Sequence, residues 1–203
     1  MFTEYEIETL SELDKIKTAS FELKKDFIKT EAPYLEISDG DFFSLVLLAP
    51  TVGVALADEN MSFWEEMALN KKARKLSKGG YFLRKDPVVF ALKYLIEKYD
   101  KWEDKFLAVI RVAMETSFDI KSLEREFDAS AAVTDDEYKI EVLKSPYILI
   151  RFMAAFFMEE DEDVFNERKL SAVDHARMVD IGAKLALHKI PVFNHFCKTF
   201  KIG

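Results

Sequence analysis

Residues 145–158 read SPYILIRFMAAFFM and run straight into the acidic stretch EEDED at 159–163. Apart from Arg151 the first stretch is apolar on every side of a helix, and a helix of that kind belongs either to a membrane or to the middle of a soluble core. Fourteen residues are too few to cross a bilayer, which takes about 20. Pro146 suits a first helical turn, with Ser145 placed to cap it. The stretch therefore predicts a buried central helix, and the remaining, amphipathic chain is expected to wrap around it.

The chain's 203 residues suit one domain, residues 1–203, with residues 1–32 forming an N-terminal helix, either packed within it or attached as an appendage. Apolar residues make up 49% and charged ones 33%, a globular composition. Six Gly and five Pro are too few for the many turns of an all-β protein. Capping boxes are expected at Thr3/Glu6, Ser62/Glu65 and Thr134/Glu137, and Asp86-Pro87 is an N-cap followed by an N1 proline. A kink or break near Leu47 is expected from Pro50 and Gly53 in the apolar helix 41–57. Residues 117–128 and 164–188 read as further helices, and nothing alternates with period two. The fold class is all-α: a single multi-helix bundle of about eight to ten helices connected by short loops.

The formal charge of −8 disfavours general nucleic-acid binding, since phosphate contacts come from Lys and Arg. A single cysteine, Cys197, rules out an internal disulfide framework and suits a reducing compartment. The acidic N-terminus has no basic lead-in of a targeting signal. The expected location is cytoplasmic.

Seven cations, Lys71, Lys72, Arg74, Lys75, Lys78, Arg84 and Lys85, occur in fifteen residues with no acid among them. The run reads either as a solvated helix end or as an interaction patch for a phosphate, a lipid headgroup or an acidic protein partner. Pairing of this patch with the acid run of a second copy would make a homo-oligomer. Arg151 needs a partner if buried; a salt bridge to a neighbouring helix or the lining of an anionic-ligand pocket would each supply one. Three histidines, His175, His188 and His195, fall into no metal-binding or di-iron spacing. The phosphate-cradling and nucleophile-elbow motifs are missing, so no enzyme is expected.

Residues 47–69 and 148–170 share one design: an apolar helix, a short acidic turn, then an amphipathic helix. In the first copy Ala57-Asp58, Ser62 and Glu65 occupy the turn and the start of the next helix. This pattern resembles the TerB-like helical domains of tellurite resistance, whose two pseudo-repeats have this outline. Here Glu59 stands where the family's turn has glycine, and the second copy lacks the Asp-Gly pair. The resemblance implies a non-enzymatic interaction or regulatory domain, of the kind that acts in stress responses or membrane-associated assemblies, that holds a divalent cation such as calcium. Asp58 and Glu65 would be its ligands, with Glu160 and Glu167 as their counterparts. The residues alone also allow helix-terminus chemistry for these acids. The alternative function is a bundle holding an apolar or anionic small molecule in a cavity lined by Phe side chains and Arg151.

Overall fold

A computed structural model describes residues 2–58, 61–77, 86–125, 133–157 and 168–203. Among these the chain is all-α, with eleven helices: α1 (Glu4–Glu12), α2 (Asp14–Glu31), α3 (Asp39–Ala55), α4 (Phe63–Leu76), α5 (Pro87–Glu97), α6 (Tyr99–Ser117), α7 (Ile120–Leu123), α8 (Asp135–Lys144), α9 (Tyr147–Phe157), α10 (Ala172–Lys184) and α11 (Pro191–Lys198). A 3-10 turn, Leu187–Lys189, joins the last two. The expected capping boxes all form, at Thr3, Ser62 and Thr134, and Asp86 caps α5 ahead of Pro87.

The central helix is α3, not the 145–158 stretch. Twelve residues of α3, from Asp41 to Gly53, are buried on all sides. Helices α1, α2, α4, α5, α6, α9 and α10 all pack against it. Helix α9 lies further out: Tyr147 is exposed, and Ile148, Ile150, Arg151 and Phe157 are only half-buried. Of the kink or break expected near Leu47, the break does not occur, because α3 runs through Pro50 without interruption. An internal proline costs about 3 kcal/mol, while each fully buried Leu, Val or Phe returns roughly 1.5–3 kcal/mol. Leu45, Val46, Leu47, Leu48 and Val52 are all fully buried, so packing outweighs the lost hydrogen bond.

The N-terminal region holds two helices, divided at Leu13. Phe27 of α2 meets Phe42, Trp102 and Phe106, and the Trp102 indole donates to Glu31 Oε1 at 2.8 Å. Phe2 stacks edge-on against Phe152 of α9 at 5.0 Å. Buried apolar side chains form one cluster from Phe2 to Phe200.

Near the C-terminus the expectation of helix throughout 164–188 is corrected. Strand β1 (Arg168–Leu170) pairs in parallel with β2 (Phe200–Ile202), and α10 starts only after the Ser171 cap. Three-residue strands brought together across thirty residues leave no local period to read. Ala186 turns the chain after α10 in the left-handed conformation, at φ 61°. The 117–128 expectation reduces to the single turn of α7 among described residues.

Gly182 of α10 lies against the ring of buried Phe193; a Cβ there would sit 2.0 Å from Phe193 Cζ. Helix propensity alone makes Gly182→Ala stabilising by about 1 kcal/mol, but overpacking a core typically costs about 1–3 kcal/mol. At 2.0 Å against a ring edge the clash dominates. Urea denaturation of Gly182→Ala is expected to show a net loss of about 1–2 kcal/mol, and a gain would contradict this packing.

Candidate functional site

Among the described residues, polar assemblies centred on Lys72, Arg151 and Glu103 tie helices together, and the outward face of α4 lies apart from these three. The first assembly joins α4 to the middle of the fold. Lys72 is buried, unlike Lys71, Arg74 and Lys75 of its basic run, and its ammonium donates to Thr51 Oγ1 at 2.9 Å. The Thr51 hydroxyl in turn faces the carbonyls of Ala155 and Phe156, at 3.2 and 2.9 Å, where α9 ends. A cation near a helix C-terminus is electrostatically favourable. Ser44 of α3 donates to the carbonyl of Leu76 at 2.7 Å, satisfying the end of α4. Lys72 therefore fixes α4 in place and does not belong to an exposed patch.

The second assembly answers the question posed by Arg151. Its guanidinium bonds Glu6 Oε2 at 2.7 Å, and its charge lies over the Tyr147 ring. Tyr147 donates to the other Glu6 oxygen at 3.1 Å, while Glu6 also accepts from the Thr3 backbone N–H and hydroxyl. The arginine is thus the salt-bridged residue that latches α1 to α9. Burial works to raise the Glu6 carboxyl, but the Arg151 and Thr3 hydrogen bonds and the Arg151 charge overcome it and hold the group down at about 2.

Sequence reasoning missed the third assembly. Glu103 of α6 is buried, with one carboxylate oxygen 2.9 Å from Arg177 and the other 3.0 Å from Lys184, both on α10. Arg177 also reaches Asp180 at 2.9 Å and donates from Nε to the Gly53 carbonyl at 3.3 Å, so α3, α6 and α10 meet there. Burial works against both cations, yet their bonds to Glu103 hold each above its ordinary value. The Tyr99 phenol lies under Arg177, and burial together with the Glu103 charge drives its pKa upward. Contributors from helices about 75 residues apart carry no spacing signal, although a glutamate on the apolar side of α6 was the available hint.

The face outside these assemblies belongs to α4. Its core side carries Leu69, Lys72, Ala73 and Leu76. On the opposite side Phe63, Trp64 and Met67 are 67%, 76% and 49% exposed, followed by exposed Lys71, Arg74 and Lys75. At about 100° per residue these six fall within an arc of about 120°, directly away from the core, and neither Glu65 nor Glu66 falls within it. The aromatic half was legible in principle, since the same helical period that buries Leu69 and Leu76 turns Phe63 and Trp64 outward.

Of the acids expected to bind a cation, Asp58 is exposed in the turn after α3, and the Glu65 carboxylate accepts from the Ser62 backbone N–H at 2.7 Å as part of the capping box. No group of three or more His, Cys, Asp or Glu that could hold a metal ion occurs among the described residues. Glu160, Glu167, Lys78, Arg84 and Lys85 lie outside the described residues, as does the acidic stretch 159–163. His175 bonds the Cys197 carbonyl at 2.9 Å, and burial pushes the Cys197 thiol up to about 12. No described helix is long and apolar enough to cross a membrane. Compared with protein-family models, curated proteins and solved structures, the chain finds no match.

The Glu6 latch has a pH signature. Its folded-state carboxyl lies below the usual 4.5, so its stabilisation is complete above that value and is lost as pH falls toward about 2. Glu6→Gln is expected to unfold at a lower temperature than wild type at pH 6 and to lose less further stability between pH 4.5 and 2. Thermal unfolding across that range checks this; parallel wild-type and variant curves would contradict it.

Proposed function

We propose that this chain is a non-enzymatic helical interaction domain, TerB-like in outline, whose contact surface is the outward face of α4. The observation that carries the reading is the exposure of Phe63, Trp64 and Met67 beside Lys71, Arg74 and Lys75 on a helix whose opposite side is anchored in the core. Trp, Phe, Met and Arg are the residues that protein interfaces favour, and a contiguous apolar face rimmed by charge is the usual mark of a contact site. A solvated face of a chain with 37 acids and 29 bases would be expected to mix both signs; this arc holds cations only. Arg151, the proposed lining of an anionic-ligand pocket, is engaged by Glu6, which leaves the interaction reading as the better supported of the two. Calcium is a weaker clause, because Asp58 and Glu65 have no third acid grouped with them among described residues.

Photo-crosslinking tests the reading. A photoreactive residue at position 64 is expected to give discrete adducts in lysate, whereas one at position 34, where Tyr34 is 98% exposed, should give none. The triple reversal Lys71→Glu, Arg74→Glu, Lys75→Glu should abolish the adducts without lowering the melting temperature. Equal labelling from both positions, or adducts that survive the reversal, would count against α4 as the surface.

A further inference from the structure

We infer that the outward face of α4 pairs with the same face of a second copy, antiparallel about a two-fold axis, with Arg74 of each copy stacked over Trp64 of the other. The assignment rests on α4 being the contact surface and names what covers it. The N-terminal half of α4 presents a preformed aromatic pair. Phe63 and Trp64 are 67% and 76% exposed, and their rings meet edge to face at 5.7 Å. Exposed Met67 follows one turn after Phe63. Ten residues beyond Trp64, about 15 Å along the helix axis, stands Arg74. Arg74 is exposed, and among the described residues no side-chain contact holds its guanidinium. Lys71 and Lys75 already have interactions within their own chain, so neither is counted toward the contact.

Among cation–π partners tryptophan is the best ring and arginine the commonest cation. A fitting occupant offers a cation to the indole and a ring to the guanidinium, at the same spacing and in reverse order. The α4 helix of a second copy offers both. Antiparallel pairing with the axis at the level of Leu69 sets Trp64 of each copy level with Arg74 of the other, so the contact forms twice and closes on itself. The two Arg74 side chains then stand about 15 Å apart along the axis, beyond the screening length of about 8–10 Å at physiological salt. Parallel pairing would instead face Trp64 with Trp64 and each Arg74 with its like. An aromatic side chain presents about 150–250 Å², so at these exposures Phe63 and Trp64 bring roughly 300 Å² per copy and roughly 600 Å² per pair. Stable complexes bury about 1,200 Å² or more, and smaller contacts are transient. Even with Met67 added the pair falls at the low end, and the net charge of −8 on each copy opposes association further. The dimer is therefore reversible and concentration-dependent.

Sedimentation velocity of the purified chain is expected to show a mass that rises with concentration from 23.5 kDa toward twice that value. Because the two-fold repeats the contact, Trp64→Ala and Arg74→Ala each remove both copies of it and should weaken association about tenfold or more. Neither substitution touches the core side of α4, so the melting temperature of dilute protein should stay at the wild-type value. Mixing the two variants gives the sharpest readout. A mixed dimer keeps one intact Arg74–Trp64 pair and either variant alone keeps none, so the mixture should associate more tightly than either variant. A photoreactive aromatic residue at position 64, with one copy isotopically labelled, should attach to the C-terminal half of α4 in the other copy. Attachment to the N-terminal half would overturn the antiparallel pairing. A single mass at every concentration, or a dimer indifferent to both substitutions, would overturn the second-copy assignment. Adducts with other proteins in lysate beside a monomeric purified chain would sink that assignment alone. Absence of adducts in both settings would sink the contact surface as well.

Discussion

Helix α3 has no polar side, and most of the fold follows from that. A helix buried all round must be covered all round, and α1, α2, α4, α5, α6, α9 and α10 supply the cover. Each covering helix needs only one apolar stripe, so the charged majority of the chain stays at the surface. The few polar atoms inside α3 are used as fastenings. Ser44 closes the end of α4, Thr51 links Lys72 to the end of α9, and the Gly53 carbonyl accepts from Arg177. Buried hydroxyls and carbonyls of this kind are costly unless paired, and here the pairing fixes the positions of three neighbouring helices.

That fastening gives α4 two distinct faces. Leu69, Ala73 and Leu76 pack inward with Lys72, so the helix cannot roll to hide Phe63 or Trp64 without unpairing a buried ammonium. A hydrogen bond to a charged group contributes about 1.5–3 kcal/mol, and the same roll would bring buried Leu69, Ala73 and Leu76 out of the core, forfeiting their burial as well. The exposed aromatic-cationic stripe is therefore held outward by the interior of the protein. The Glu6–Arg151 latch and the Glu103–Arg177–Lys184 assembly act elsewhere, holding α1 to α9 and α10 to α6.

Local chemistry was the legible part of the sequence. Thr3, Ser62, Thr134 and Asp86 each cap the helix that their spacing announces, because a capping box is decided within four residues. The all-α class followed from scarce glycine and proline and from the helical period. Which of two apolar helices takes the centre was not local: α3 offers seventeen residues and α9 eleven, and Tyr147 and Arg151 keep α9 toward the rim. The parallel pairing of Arg168–Leu170 with Phe200–Ile202 and the junction of Glu103 with Arg177 depend on distant segments meeting. Lys72 shows the same limit within the candidate site. Its neighbours in the basic run are exposed, yet one step around the helix turns its ammonium onto Thr51.

The account stands on α4 facing outward from a core centred on α3, and the two tryptophans sit on opposite sides of that claim. Trp64 is exposed on α4, and Trp102 is packed against Phe27 beside α3. Acrylamide quenching of wild type and Trp64→Phe separates them. The account predicts that wild-type emission divides into a readily quenched, water-exposed part and a protected part, and that Trp64→Phe retains only the protected, blue-shifted emission. Readily quenched emission persisting in Trp64→Phe, or a wild type whose emission is protected throughout, would contradict it.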